Sequence, residues 1–401
     1  MTFGTRAGGS GPTGALEGLL MIGAALAPCE AAEPAAAGSF SSPDAFRRVK
    51  QSRKALVALL ASLHADGELA EAFVWDTCQR VELYGWLADR RPPDRSAREE
   101  AAARVRERLF GPPPEPPGLA VRVLEGAAAW RHLLRTAAGL ESRVPGDKDV
   151  LAQLETARRI AESAGAAGAR SAALVAGAGR LVERLRAETG WGRVSEGYVA
   201  AALAGIPPLR GRPAADGRHV VVGGSTTSRS VLEALRERFG TPAGRLTLVH
   251  RGHHGRMRLL REALAGGRRL RVPAYGDPAV LGAIADADFV YFGLDQSEPV
   301  VALDRLAGLR DHAARPLVVV DFNTFGSLGA PGEAAPRGVE VWRAADLEEA
   351  AAVHAAAVRG RPEFRAALIA AGEWLDARAG EADEAAGAPS GAPVLAEAAP
   401  C

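Results

Sequence analysis

The sequence predicts an α/β chain: a mixed α+β domain first, a doubly wound parallel sheet second and a long helix last. Three observations predict it. From residue 19 to about 142, short apolar runs alternate with amphipathic helical patterns. Residues 146 to about 205 are nearly all helical in pattern, and from His219 onward apolar strands recur at the spacing that helix-separated parallel strands require. A length of 401 residues suits two or three domains.

Composition narrows the function classes. With 47% hydrophobic and 24% charged residues the chain is ordinary for a globular protein. A formal net charge of +1 gives no global pull toward nucleic acid and leaves a local basic face open. Nearly all the positive charge is arginine, the lysines being Lys50, Lys54 and Lys148. Cys29, Cys78 and Cys401 show neither metal-type nor disulfide-type spacing, so no metal site is expected and a reducing, cytoplasmic compartment fits. The apolar stretch "GALEGLLMIGAALAP" is too short to span a bilayer and no basic run directly precedes it, so neither membrane span nor signal peptide is expected.

The elements follow in order. Residues 1–18 and 380–401 have little to bury and read as disordered tails. The apolar stretch above is a first strand with its exit, and "PDAFRRVKQSRKALVALLASLHA" an amphipathic helix. Phe73, Val74 and Trp75 end a short strand, and Val81, Leu83 and Tyr84 restart an apolar pattern, so the polar run Asp76 to Arg80 falls at a strand end facing a cleft. "GPPPEPPG", residues 111–118, is a surface loop. Helical pattern then runs to "GRLVERLRAETG". Next, "RHVVVGGSTTSRSVLEALRERFG" gives a strand, a Gly/Ser/Thr turn and a helix, and "RLTLVHRG", "ADFVYFG" and "RPLVVVDF" give further parallel strands in a Rossmann-type order. The final pattern, "DLEEAAAVHAAAVRGRPEFRAALIAAGEWL", is one amphipathic helix kinked near Pro362. Domain boundaries fall at 19–165, 166–345 and 346–379.

On residue type alone Cys78 reads as a buried small hydrophobe, His132 in "WRHLLR" as a helix-surface or core histidine, and Arg80 with Glu82 as a solvated pair on one strand face. Three longer runs change that reading. "DTCQRVELY", "HLLRTAAGLESRVPGDKDVLAQLETARRIAESAGAAG" and "VERLRAETGWGRVS" together, in this order and spacing, resemble the glutamyl-tRNA reductase family over roughly residues 19 to 375.

The resemblance implies a catalytic domain, a Rossmann-type NADP-binding domain and a spinal helix. It implies a chemistry too. Cys78 is the nucleophile that takes the aminoacyl group from glutamyl-tRNA as a thioester, and NADPH reduces that thioester to glutamate-1-semialdehyde, the opening of tetrapyrrole biosynthesis. By the same resemblance Arg80 holds the substrate's side-chain carboxylate, Thr77 and Ser142 assist by hydrogen bonding, Glu82 lies near the α-ammonium group, and His132 is a proton donor or orienter by the thiol. The implied partners are aminoacyl-tRNA and the aminomutase of the next step.

The chain also departs from the family pattern. Gln79 stands for an Asn and Asp76 for a Ser, and an acidic Asp76 near the thiol would raise its pKa. "MIGAALAPCE" lacks the family's His, basic residue and Thr, and Cys29 within it reads as a strand-end core residue. The cofactor turn is Gly223, Gly224, Ser225, Thr226, Thr227, Ser228, with only the first glycine clearly in place. Ser225 there either obstructs a pyrophosphate or donates a hydroxyl to it. Arg251, in a stretch with His250, His253, His254 and Arg256, stands where the family grips the 2′-phosphate of NADPH, or else lies in a solvated loop. "FGLDQSEPVV" and "VVVDFNTFGSLG" diverge where they would line the cofactor cleft.

Low-complexity residues follow Trp374, where the family continues into a helical dimerisation domain, so the spinal helix reads as truncated and dimerisation stays open. The alternative to a reductase is a paralogue that uses the Cys78 thioester for aminoacyl transfer or hydrolysis without hydride. A scaffold that binds tRNA, haem or the next enzyme is the non-enzymatic reading.

Overall fold

The computed structural model describes residues 16–25, 49–77, 80–88, 95–112, 121–142, 144, 146–194, 196–211, 216–252, 257–294, 296, 298–307, 309, 316–329 and 334–385. Of the features singled out in the sequence, most of both tails, residues 113–118 of the proline-rich loop, Cys29, Cys78, Gln79, His253, His254 and Arg256 lie outside the described residues. The chain divides into two units, one of Met1–Ser142, Val150–Val194 and Glu363–Cys401, the other of Arg143–Asp149 and Ser195–Pro362.

The first unit runs β1 (Leu19–Ala25), α1 (Arg53–Ala65), β2 (Leu69–Asp76), β3 (Arg80–Leu87), α2 (Arg95–Phe110), β4 (Arg122–Glu125), α3 (Gly126–Ala137), α4 (Asp149–Ser163) and α5 (Ala169–Glu188). Its strands form an antiparallel sheet in the order β2-β3-β1-β4. Seven of the eight residues of β3 are buried, because helices cover the sheet: α1 packs on β2, and α3 on β1 and β4. Phe73 and Tyr84 are register partners across β2 and β3, and their rings stack at 5.4 Å. Leu16, inside the predicted tail, is 3% exposed, since it joins this core.

Two close approaches fix parts of this sheet. Gly23 of β1 is the register partner of Glu82 of β3, and a Cβ at Gly23 would lie 2.5 Å from Glu82 Cγ. Any larger residue there would displace the glutamate. On β2, the Glu71 carboxylate accepts the backbone N–H groups of Gly168 and Ser171, each at 2.9 Å, and the Ser171 hydroxyl at 2.9 Å. A negative charge thus closes the otherwise unpaired amino terminus of α5 and ties that helix to the sheet. This tie is one reason α4 and α5 group with the first unit, whereas the sequence places a boundary at 165.

The second unit runs α6 (Tyr198–Gly205), β5 (His219–Val222), α7 (Thr226–Glu237), β6 (Leu246–His250), α8 (Met257–Leu264), β7 (Arg268–Arg271), α9 (Pro278–Ala285), β8 (Phe289–Phe292), β9 (Leu317–Asp321), β10 (Val339–Trp342) and α10 (Ala344–Arg359). All six strands are parallel, in the order β10-β9-β8-β5-β6-β7. Numbered within this unit the order is 6-5-4-1-2-3, the doubly wound dinucleotide-binding order predicted from the sequence. Its core is β-branched and aromatic: Val220, Val222, Val249, Val290, Phe292 and Val319 pack together. The "RRLR" of β7 carries one apolar residue and so gives no strand pattern in the sequence; its backbone pairing with β6 places it in the sheet.

The closing pattern is not one kinked helix. α10 ends at Arg359, and a second helix, α11 (Pro362–Ala385), begins two residues after Gly360. Proline supplies no N–H for a continuing helix but suits a first turn, so the break falls there. From Glu363 onward α11 belongs to the first unit, where Phe364 meets the Trp191 ring at 5.3 Å and Trp374 Nε1 donates to Glu188 at 2.7 Å. It runs into the predicted tail, to Ala385.

Candidate active site and cofactor turn

Strand periodicity builds the first site. Arg80, Glu82 and Tyr84 alternate along β3 and so share one face of the sheet. Facing them, α3 presents His132 and Thr136, one helical turn apart. Arg80 Nη1 donates to Glu82 Oε1 at 3.0 Å and to Thr136 Oγ1 at 3.2 Å, and Nη2 donates to the Glu141 carbonyl at 2.9 Å. The Tyr84 hydroxyl donates to Glu82 Oε2 at 2.9 Å, and His132 Nε2 lies 3.0 Å from Glu82 Oε1. Arg80 and Glu82 are 3% and 1% exposed. They are a buried pair, which corrects the solvated-pair alternative.

Burial alone would raise the Glu82 pKa. The charges of His132 and Arg80, with hydrogen bonds from His132 and Tyr84, outweigh it and hold the carboxyl at about 2 against an ordinary 4.5. Burial, then the adjacent Glu82, pushes Tyr84 well above its usual range, so it stays a neutral donor. A carboxyl whose pKa is depressed by folding stabilises above its unfolded value, and that contribution is lost as pH falls through the folded one. Stability of the first unit is therefore expected to fall as pH drops from 4.5 toward 2. Five of the six tryptophans lie in that unit. Urea unfolding followed by tryptophan fluorescence across that range should show a steep acid limb in the wild type and a shallower one in Glu82→Gln. Equal limbs would mean that Glu82 is not ionised in the fold.

Thr77 and Arg80 bracket residues 78 and 79. Thr77 N–H donates to the Arg80 carbonyl at 2.9 Å, and Arg80 N–H to Thr77 Oγ1 at 3.2 Å. Lys50, which no sequence pattern singles out, donates through Nζ to the Thr77 carbonyl at 3.1 Å and pairs with the Asp76 carboxylate at 3.6 Å. Asp76 is thus not a lone negative charge: the Lys50 ammonium stands beside it. Ser142 is 3% exposed in the turn after α3. Tyr84, Thr136 and Glu141 also escape a reading of the sequence; only the two-residue period along β3 signals Tyr84.

In the second unit the turn after β5 is shaped by close approach. Gly223 has φ +135°, and a Cβ on it would collide with the Gly293 carbonyl at the end of β8. Gly224 has nothing within 4 Å of its Cβ position. Ser225 caps α7, accepting the Ser228 N–H at 3.2 Å, and its hydroxyl donates to Gly293 O at 2.7 Å. Ser228, fully buried, donates to the same carbonyl at 3.1 Å. The Ser225 hydroxyl is therefore turned onto the sheet, and neither sequence alternative for it, obstruction or donation to a phosphate, describes this arrangement. Thr226 and Thr227 occupy the first turn of α7, with hydroxyls that meet no partner among the described residues. The Arg251 guanidinium lies 5.0 Å over the Tyr275 ring just beyond β6. The diverged run after β9 closes on itself, Asp321 accepting Ser327 Oγ at 2.8 Å and Asn323 N–H at 3.0 Å.

Residues 42–189 match the family described as glutamyl-tRNAGlu reductase, N-terminal domain, a range that holds Thr77, Cys78, Arg80, Glu82, His132 and Ser142. Glutamyl-tRNA reductase 2 of a Nocardioides species is 33% identical over 320 residues, which cover 79% of this chain and 65% of the relative. The chain belongs to the glutamyl-tRNA reductase family. Glutamyl-tRNA reductase of Rhodospirillum rubrum is 31% identical over 314 residues, 77% of this chain and 66% of that protein. The chain thus spans about two thirds of the length of these glutamyl-tRNA reductases. The structure of the Methanopyrus kandleri glutamyl-tRNA reductase aligns over 92% of the chain and 81% of its own, with 22% identity and a TM-score of 0.42, a likeness that adds nothing to the sequence match. Among the described residues no helix is long and apolar enough to cross a membrane, and no group of three or more His, Cys, Asp or Glu side chains is arranged to hold a metal ion.

Proposed function

We propose that the chain is an NADPH-dependent glutamyl-tRNA reductase that converts glutamyl-tRNA to glutamate-1-semialdehyde in the cytoplasm for tetrapyrrole synthesis. The observation that carries this reading is the donor count at Arg80. A guanidinium has five N–H groups in a planar fork. Three are spent on Glu82, Thr136 and the Glu141 carbonyl. Nε and one N–H of Nη2 meet no partner among the described residues. That is the edge on which a carboxylate binds through two parallel hydrogen bonds, next in sequence to the bracket around Cys78.

In the proposed reaction the Cys78 sulfur attacks the aminoacyl ester carbon, the ester C–O bond breaks, and the tRNA leaves with its 3′ or 2′ hydroxyl restored. Arg80 orients the side-chain carboxylate, with Thr77 and Ser142 alongside, and Glu82 faces the α-ammonium group. His132 delivers a proton to the departing oxygen, its ring oriented by Glu82. Bound NADPH would supply the hydride for reduction of the thioester, with Cys78 released as thiolate from the aldehyde. The second unit fits that cofactor: Gly223 keeps the turn tight, the Ser225 side chain is folded inward, and the Thr226 and Thr227 N–H groups and hydroxyls at the start of α7 would hold the pyrophosphate, with Arg251 on the 2′-phosphate.

A single-turnover assay with glutamyl-tRNA and NADPH tests the proposal. Aldehyde is the expected product. Release of free tRNA and glutamate without aldehyde would replace it with the paralogue that forms the thioester but transfers no hydride, and no reaction would leave the non-enzymatic reading.

A further inference from the structure

β7 forms one edge of the second unit's sheet and is three parts arginine. Between positions 245 and 271 the sequence holds eight arginines, Arg245, Arg251, Arg256, Arg258, Arg261, Arg268, Arg269 and Arg271, against one acid, Glu262. Glu262 lies 3.5 Å from Arg258. Among the described residues Arg245, Arg261, Arg268, Arg269 and Arg271 meet no carboxylate, and all five are exposed. Arg269 and Arg271 share the sheet face that carries His250, the register partner of Arg271, and Arg268 stands on the other face at the same open edge. Burial, then the positive charges of Arg269, Arg271 and Arg261, lowers the pKa of His250.

Charge on an edge strand also guards against pairing with another chain, which accounts for β7 but not for Arg245 and Arg261 outside it. A cofactor does not explain the cluster either. Ligands of a doubly wound sheet sit at the carboxyl ends of its strands, where Arg251 stands. Arg268 and Arg269 pair with Thr247 and Leu248, near the amino end and at the middle of β6, and Arg245 precedes that strand. From Arg268 to Arg271 the strand spans roughly 10 Å, about three phosphates of one nucleic-acid strand.

We propose that this arginine edge docks the phosphate backbone of the tRNA that carries the substrate. The proposal rests on the tRNA-dependent reading above and adds to it where the tRNA lies: along β7 and α8, with the charge supplied by Arg261, Arg268 and Arg269. Binding is to phosphates, so it is independent of sequence and strongly salt-dependent.

The test uses the full chain with Arg261, Arg268 and Arg269 all replaced by glutamine, and titrates uncharged tRNA between about 50 and 200 mM salt. The slope of log affinity against log salt should become shallower by up to about 2.7, roughly 0.9 for each phosphate no longer neutralised, with at least a ten-fold loss of affinity at the low-salt end. The matching triple lysine variant, which keeps the charge, should restore the slope. NADPH affinity should stay within two-fold. An unchanged slope for the glutamine variant, with wild-type protein binding tRNA, would overturn the proposal and leave the reductase reading standing. So would a ten-fold loss of NADPH affinity with the tRNA slope intact, which would assign the edge to the cofactor. Wild-type protein that binds no tRNA would remove both.

Discussion

Cys78→Ser is expected to lower aminoacyl transfer from glutamyl-tRNA by at least about a thousand-fold while moving the urea midpoint little. A hydroxyl at this position has none of the thiolate's nucleophilicity at neutral pH, and removing a nucleophile costs orders of magnitude because the rest of the site cannot substitute for it. Single-turnover chemistry measures the loss, and tryptophan fluorescence in urea checks the fold. Full transfer by the serine variant would remove both enzymatic readings at once, since each passes through the same thioester.

Arg80→Ala is expected to destabilise the first unit by about 3–5 kcal/mol, the usual result of removing one partner from a buried ion pair. Three hydrogen bonds are lost, and Glu82, 1% exposed, keeps His132 and Tyr84 as its partners among the described residues. Arg80→Lys should recover part of the stability but not glutamate selection, because an ammonium cannot serve Glu82, Thr136 and Glu141 and still offer two parallel donors. A loss under about 1 kcal/mol for the alanine variant, read from urea unfolding, would mean that the pair is solvated after all.

The architecture is legible in the sequence where patterns are strong. The parallel strands holding Val220, Leu248, Val249, Val290 and Val319 announce themselves by runs of apolar, mostly β-branched residues, and the turn at Gly223 by its composition. β7 stays hidden because arginines carry no strand period. The break at Gly360–Pro362 reads as a kink because one amphipathic pattern continues across it. At the site, motif resemblance supplies Thr77, Arg80, Glu82 and His132, but their mutual arrangement needs the fold: Thr136 and Glu141 are separated from Arg80 by 56 and 61 positions. Lys50 is invisible for the same reason, 27 positions from the carbonyl it meets. Ser225 misleads because a residue letter does not say which way a hydroxyl turns.

Gly23 has no functional group, yet it decides whether the Glu82 carboxylate has a place to stand. A family member that kept every polar residue of the network and drifted to alanine at this one position would have a motif that scores as intact and an interior with no room for it. Attempts to transplant or re-aim the proposed glutamate specificity must therefore keep a bare hydrogen at this point of the neighbouring strand, alongside the charges themselves.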